Sequence, residues 1–299
     1  MSITTHLLKS GDNVSIISPS RVIFEDQMIE AKRILKTWGL NVIEGCSLYS
    51  QSGYFAGTDD DRLIELQQVI NDPSIRAIFC ARGGYGLTRF LDELDVTPLL
   101  KRPKWIVGFS DITALHLKLN LAGIESIHGL MPVQFEYSGV KDSIASLYKI
   151  LFHSEGEYKT ETSIDNVSGE AIGTLVGGNL CLICDSLGTS SEINTDDKIL
   201  FLEEIDEYLY KIDRMLNQLK RSGKFQNLKG VIIGDFSKVK DTEIAFGISL
   251  IPLIKSYFGD KNIPLMFGFP AGHEPLHWAL PLGRRVELSV DNNGCRLTF

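Results

Sequence analysis

Residues 105–117 read WIVGFSDITALHL. The stretch opens with a short apolar run typical of a buried strand, and a helical pattern begins after Asp111. Ser110 therefore falls in a tight, glycine-flanked turn between a strand and a helix. A serine at such an elbow presents its hydroxyl at the carboxyl edge of a sheet, where the amides of the first helical turn can stabilise a developing negative charge. The stretch predicts that Ser110 is a nucleophile at the carboxyl end of a strand in a parallel sheet.

The first half of the chain alternates short apolar runs with amphipathic segments. The pattern predicts strands over residues 13–20, 41–44, 75–80 and the run at 105, and helices over residues 25–38, 59–70 and 86–94. This βαβα order predicts an α/β fold whose N-terminal domain is a Rossmann-like or flavodoxin-like parallel sheet. Helices should cover both faces, and ligands should bind at the carboxyl ends of the strands.

After about residue 140 the alternation becomes less regular. Residues 155–168 are rich in Thr, Ser, Glu and Asp, which is typical of a surface connection. Beyond it the pattern predicts strands over 169–176, 198–203 and 230–235 and a long amphipathic helix over 208–222. We therefore expect an N-terminal domain over 1–145, a linker over 146–168 and a smaller, mixed β/α C-terminal domain over 169–299.

Composition and charge narrow the function classes. The 299 residues are 43% hydrophobic, and 30 basic against 38 acidic residues give a net charge of −8. Such a chain lacks the positive surface that nucleic acids or anionic membranes require, so small molecules or peptides are the expected partners. No secretory signal or membrane-spanning run is evident, which predicts a cytoplasmic location. The five scattered cysteines predict reduced thiols, and Cys181 and Cys184, without a second ligand pair, should pack in a helix.

A glycine-rich loop follows the strand that ends near residue 80. Residues 81–87 read ARGGYGL, and their backbone amides could approach a bound oxygen without steric hindrance from a Cβ atom. A phosphate-binding loop is the competing interpretation, but the stretch has neither the Lys-Ser/Thr of a Walker A loop nor a complete G-x-G-x-x-G spacing. A structural interpretation of Ser110 also stays open, because serine often caps a helix at such a turn.

A catalytic serine needs a base and an acid. His273 lies in GFPAGHEP, residues 268–275, a rigid loop after an apolar run; His128 is the next candidate, and His116 falls inside a helix. The segment LFLEEIDE, residues 200–207, supplies acids at the end of a strand. Strand alternation places Glu203 and Glu204 on opposite faces, so only one of them should orient the imidazole. The alternative is a solvated acidic turn before a helix.

Several separated motifs together resemble one known family. In chain order they are ARGGYG (81–86), VGFSD (107–111), HG (128–129), VGGNL (176–180), FLEE (201–204), YKIDRML (210–216) and GFPAGH (268–273). Over residues 14–288 the chain resembles the LD-carboxypeptidase family of serine peptidases, which includes murein-tetrapeptide carboxypeptidases and microcin-immunity peptidases. Ile112 occupies the position where G-x-S-x-G hydrolases have glycine, so the chain departs from the standard α/β-hydrolase elbow.

The resemblance implies a Ser-Glu-His triad. It corresponds here to Ser110 as nucleophile, His273 as general base and acid, and Glu203 as the orienting carboxylate, with Glu204 as the alternative acid. The family's oxyanion hole implies the backbone amides of Asp111 and of the Gly83–Gly84 loop, with Gly84 preferred.

The resemblance also implies the reaction. We expect hydrolysis of an L,D-amide that releases a terminal D-amino acid, D-alanine, from muropeptide tetrapeptides in peptidoglycan recycling, with no metal or cofactor, by a homodimer. A substrate carboxylate would need a cation, for which Arg82 and Arg284 are the candidates. Two alternatives stay open: a microcin-immunity peptidase cleaving peptide-nucleotide conjugates, and a non-catalytic protein whose glycine loop holds an anion.

Overall fold

A computed structural model describes residues 5–153, 156–259 and 261–299. In this part of the chain the strands are β1 (Asn13–Ile17), β2 (Asn41–Glu44), β3 (Ile75–Cys80), β4 (Trp105–Gly108), β5 (Ser126–His128), β6 (Glu157–Thr160), β7 (Gly169–Asn179), β8 (Lys198–Ile205), β9 (Gly230–Ser237), β10 (Leu265–Phe267), β11 (Leu280–Leu282), β12 (Arg285–Asp291) and β13 (Gly294–Thr298). The helices are α1 (Ile29–Thr37), α2 (Asp59–Asn71), α3 (Pro98–Lys101), α4 (Thr113–Leu121), α5 (Lys141–Phe152), α6 (Leu180–Asp185), α7 (Leu209–Arg221) and α8 (Leu250–Phe258). The chain divides into two compact units.

The first unit contains the described residues up to 153 together with residues 275–283. Its sheet has the strand order β11-β5-β4-β3-β1-β2, and β1 to β5 are parallel. The order 2-1-3-4-5 is that of flavodoxin-like folds, and it reverses direction between β1 and β3. Strands β3 and β4 are almost wholly buried, as central strands covered by helices on both faces must be. The prediction of a flavodoxin-like parallel sheet is confirmed.

The second unit contains the described residues between 156 and 274 together with residues 284–299. Its mixed sheet has the order β10-β9-β8-β7-β12-β13-β6, with β7 to β10 parallel and β12, β13 and β6 antiparallel. Helix α7 buries the apolar side chains at 212, 215, 216 and 219, the face that the sequence pattern indicates. The predicted mixed β/α character of this part is confirmed.

The structure differs from the predicted domain division in two places. Residues 146–168, expected to be a linker, include the end of α5 and all of β6, which pairs with β13. Residues 275–283, expected in the second domain, belong to the first unit because β11 pairs antiparallel with β5. Such a short strand, with Pro281 at a sheet edge, carries almost no local pattern.

The helix predicted over residues 86–94 is wrong. The structure has two separate 3₁₀ turns there, Leu87–Arg89 and Leu91–Glu93. The backbone of Gly86 has φ = 138°, which a helix cannot include, and its carbonyl accepts a hydrogen bond from the buried Arg62 guanidinium at 2.9 Å. The glycine-rich loop therefore has an irregular backbone, which is stabilised by the side chain of Arg62.

Candidate active site

Ser110 lies at the turn that follows β4, where the sequence predicts it. Its φ is 62°, a left-handed conformation that non-glycine residues rarely adopt, and its side chain is partly exposed. Gly108 allows the turn to be this tight, since a Cβ there would lie 2.8 Å from Cγ1 of Ile112. A strained serine at the carboxyl edge of a parallel sheet is characteristic of a presented nucleophile.

A buried histidine fixes the start of this turn. The Nε2 of His116 hydrogen-bonds the Gly108 carbonyl at 2.8 Å, and its Nδ1 lies 2.9 Å from Oγ of Ser126. Because a carbonyl can only accept, Nε2 carries the proton and Nδ1 accepts from the serine hydroxyl. Burial lowers the pKa of His116 to about 4, so the ring is neutral and serves as a brace.

The glycine-rich loop directly contacts the serine. A Cβ built on Gly83 would lie 3.0 Å from Cβ and 3.2 Å from Oγ of Ser110, so any side chain at this position would press on the hydroxyl. Gly84 has φ = +113° and is exposed. Sequence reasoning favoured Gly84 as the oxyanion donor; the structure adds Gly83 as the residue packed against the serine.

The side chain of Asp111 connects three loops through hydrogen bonds. The sequence alone indicates no role for this side chain. Its Oδ2 accepts hydrogen bonds from Oγ of Ser20 at 2.6 Å and from the Leu87 amide at 3.0 Å, and the Gly86 amide also bonds this carboxylate. Burial raises the pKa of Asp111, against the opposing effect of these hydrogen bonds. The carboxylate therefore holds the loops after β1 and β3 against the serine turn.

In the second unit the structure brings His273 and Glu203 together. Nδ1 of His273 lies 2.8 Å from Oε2 of Glu203, whose side chain is fully buried, while 17% of the histidine side chain is exposed. Burial opposes protonation of His273, but the hydrogen bond and charge of Glu203 outweigh it and raise the pKa of the imidazole. A buried carboxylate on Nδ1 fixes the tautomer and leaves Nε2 for proton transfer.

A register shift between β8 and β9 determines the direction of the Glu203 side chain. Leu202 pairs with Ile233 and Glu204 with Phe236, so Glu203 lies opposite the extra residues of a bulge. Bulges commonly redirect a side chain beside a functional site. Glu204 points elsewhere: it accepts from Nδ2 of Asn179 at 3.0 Å and from the Cys181 amide at 2.9 Å. The structure thus favours Glu203 over Glu204 as the histidine's partner.

Asp235 is a further acid of this cluster, and sequence reasoning missed it. Its amide donates to the Ala271 carbonyl at 2.9 Å, and its carboxylate accepts from the Glu274 amide, so it holds both flanks of the His273 loop. Burial, with the charges of Glu274 and Glu203, raises the pKa of Asp235 to about 7. The signal available in the sequence was its place at the carboxyl end of the apolar run over residues 230–235, which predicts a strand.

The other candidates have different surroundings. His128, the second candidate base, is fully buried in the first unit, its ring 5.6 Å from that of Phe109 and 5.0 Å from that of His277. Arg82 is partly buried beside the glycine loop, whereas Arg284 is only 8% exposed before β12. Cys184 is buried in α6 and Cys181 is exposed on it, both as free thiols.

Comparisons with known proteins identify the family of the chain. A family model described as the LD-carboxypeptidase N-terminal domain matches residues 14–129, and one described as the LD-carboxypeptidase C-terminal domain matches residues 172–288. The protein is thus a serine-type carboxypeptidase. More specifically, the chain belongs to the LD-carboxypeptidase family.

Individual relatives point the same way. The chain is 36% identical over 288 residues to a probable murein peptide carboxypeptidase of Bacillus subtilis, covering 95% of this chain and 90% of that one. It is also similar to the crystal structure of muramoyltetrapeptide carboxypeptidase from Oxalobacter formigenes, with a TM-score of 0.86, 28% identity and coverage of 96% and 98%. MccF in complex with glutamyl sulfamoyl guanosine superposes with a TM-score of 0.88 and coverage of 99% and 98%, but at 22% identity this likeness shows the fold alone.

Proposed function

We propose that this protein hydrolyses the amide between an L-configured centre and a terminal D-amino acid, releasing D-alanine from muropeptide tetrapeptides. The observation that carries the proposal is the His273–Glu203 hydrogen bond of 2.8 Å, together with a strained, partly exposed Ser110 in a chain of this family. The similarity to murein carboxypeptidases supports the substrate class.

In the proposed mechanism His273 accepts the proton of Ser110 as the hydroxyl oxygen attacks the scissile carbonyl. The amides of Asp111 and Gly84 stabilise the resulting oxyanion. His273 then passes the proton to the leaving amine, the C–N bond breaks, and D-alanine departs. Water, deprotonated by the same imidazole, hydrolyses the acyl-enzyme. Throughout, Glu203 holds the imidazole in the required tautomer and stabilises its protonated form.

Two further properties concern where the protein acts and its oligomeric state. Within the ranges that the structure covers, no helix combines the length and apolar character needed to span a bilayer. We propose a cytoplasmic homodimer that acts on muropeptides during peptidoglycan recycling, with Arg82 and Arg284 as the candidate cations for a substrate carboxylate. Sedimentation of the purified protein tests the dimer directly, because a single monomeric species would contradict it.

Mass spectrometry with two peptides tests the proposed reaction. We incubate the wild-type protein, Ser110→Ala and His273→Ala with a muropeptide-type tetrapeptide ending in D-alanine and with its all-L counterpart. The expected result is loss of one alanine from the first peptide only, and only with wild type, since removing either group leaves at most the residual rate from binding and oxyanion stabilisation. Unchanged turnover by Ser110→Ala, or no cleavage of either peptide by wild type, would rule the proposal out.

A further inference from the structure

Two arginines flank the point where the strand order of the first sheet reverses. Arg21 lies four residues beyond the end of β1, and Arg82 lies two residues beyond the end of β3. The ends of these strands are in register, with Ile17 opposite Cys80, and the Ala81 amide donates to the Ile17 carbonyl at 2.7 Å. Loops that leave adjacent parallel strands at such a reversal form the crevice in which α/β proteins bind ligands.

The two guanidinium groups have no acidic partner in the described ranges of the chain. Both side chains are partly buried, and no carboxylate oxygen of a described residue lies within 4.0 Å of either one. Burial, and then the charge of Arg21, lower the pKa of Arg82. Two like charges held together at a crevice without compensation form a site that favours an anion, and a carboxylate fits the donor fork of an arginine.

The position of Arg21 is fixed by the glycine loop. A Cβ on Gly84 would lie 3.0 Å from Cβ and 3.4 Å from Cδ of Arg21, so the arginine stem lies across this glycine. The guanidinium is 5.0 Å from the centre of the Tyr54 ring, a cation–π contact that orients it further. Because the adjacent Gly83 contacts Ser110, the anion site adjoins the nucleophile.

We propose that Arg21, together with Arg82, binds the free C-terminal carboxylate of the substrate and so restricts cleavage to the last residue of the peptide. This inference rests on the proposed function. In a peptide the terminal carboxylate lies one residue beyond the scissile carbonyl, about 3.8 Å along the chain. A carboxylate bound beside Gly84 would therefore lie next to Gly83, the residue that packs on the attacking serine. Arg21 is thus a specificity-determining residue.

The first experiment compares two substrates that differ only at the terminus. One is the tetrapeptide ending in D-alanine, and the other is the same peptide ending in D-alaninamide. In Arg21→Gln we expect kcat/KM for the acid to fall about 10- to 100-fold, the range for losing a hydrogen bond to a charged group, with kcat/KM for the amide unchanged. Arg82→Gln should behave alike, and Arg21→Lys should retain part of the preference.

Arg76→Gln is the matched control. Arg76 is exposed at the amino end of β3, the opposite edge of the same sheet, so this variant should discriminate between acid and amide as wild type does. The inference is overturned if Arg21→Gln keeps the wild-type preference, or if it loses both substrates equally, as a general disturbance of the loop would cause.

A binding measurement separates this inference from the proposed function. Calorimetric titration of Ser110→Ala protein with the two peptides, with and without Arg21→Gln, requires no turnover. Preference for the acid that disappears with Arg21→Gln supports the carboxylate site even if wild type hydrolyses neither peptide, which would reject only the reaction. Equal affinity of the Ser110→Ala protein for acid and amide rejects the carboxylate site whatever the rates are.

Discussion

Replacing Gly83 with alanine adds one methyl group against Ser110, the proposed nucleophile. The new Cβ would lie 3.0 Å from Cβ and 3.2 Å from Oγ of Ser110, and 3.3 Å from the Phe109 carbonyl oxygen. Contacts this short are tighter than nine in ten real Cβ contacts, so a neighbour must shift by a few tenths of an ångström. Gly83 does not have a left-handed φ, so alanine brings no backbone strain of its own.

The expected loss follows from the size of this shift. If a displacement of about 1 Å costs about 100-fold in rate, a shift of about 0.3 to 0.5 Å should cost about 4- to 10-fold in kcat/KM. This corresponds to about 1 kcal/mol of transition-state stabilisation. The assay is the initial rate of D-alanine release from the tetrapeptide, with the melting temperature measured on the same preparations.

Gly11→Ala provides the opposite control. Gly11 precedes β1 and has φ = +92°, and no atom of the described residues around it lies within 4 Å of a built Cβ. Alanine there should therefore lower the melting temperature and leave kcat/KM unchanged. Gly83→Ala should lower kcat/KM and leave the melting temperature nearly unchanged. A Gly83→Ala enzyme with wild-type kcat/KM would refute the claim that this glycine packs on Ser110, the proposed nucleophile.

Two further predictions concern the pH profile of kcat/KM, which reports the base of the free enzyme. The imidazole of His273 must be neutral to act as a base, and Glu203 raises its pKa. Glu203→Gln should therefore move the acidic limb of the kcat/KM profile to lower pH and also reduce kcat by about 10²- to 10⁴-fold. An acidic limb that does not move would contradict this coupling. Asp235→Asn removes a further charge that raises the pKa of His273 but keeps an oxygen for the Glu274 amide. Because the pKa of Asp235 is itself raised to about 7, this group is only partly ionised near neutral pH, so the acidic limb should move to lower pH by less than in Glu203→Gln, with kcat at pH 8 changed only about 2- to 3-fold. A shift to higher pH would show that the aspartate charge does not act on the imidazole.

The serine turn, the parallel sheet, Glu203 and His273 could be predicted because each is marked by a short stretch of sequence. A buried strand that ends in Gly-Phe-Ser predicts the serine turn, and alternating elements predict a parallel sheet with loops at one edge. Glu203 and His273 each follow or end an apolar run, which is enough to nominate them. Choosing Glu203 over Glu204 rested on resemblance, and the physical reason is a bulge between β8 and β9 that sequence alternation cannot reveal.

The missed residues depend on strand order. Arg21 is a neighbour of the glycine loop only because β1 lies beside β3, and Asp235 approaches the His273 loop only because β9 lies beside β10, the strand before that loop. Neither adjacency can be read from local periodicity. The helix expected over residues 86–94 fails because Gly86 has φ = 138°, and the side chains that contact this loop, Asp111 and Arg62, are distant from it in sequence.

The same carboxylate explains how the first unit can hold a strained serine. A left-handed non-glycine residue costs about 1 to 3 kcal/mol and persists only where its surroundings determine it fully. Here His116 holds the backbone before Ser110 through the Gly108 carbonyl, and the residue after it, Asp111, is anchored by three hydrogen bonds to the loops after β1 and β3. With both neighbours fixed, Ser110 cannot relax without breaking buried hydrogen bonds, each worth about 1 kcal/mol or more. The strain is therefore stored where the hydroxyl must be presented, and the loops that maintain it are those that carry Gly83, Gly84 and the two arginines.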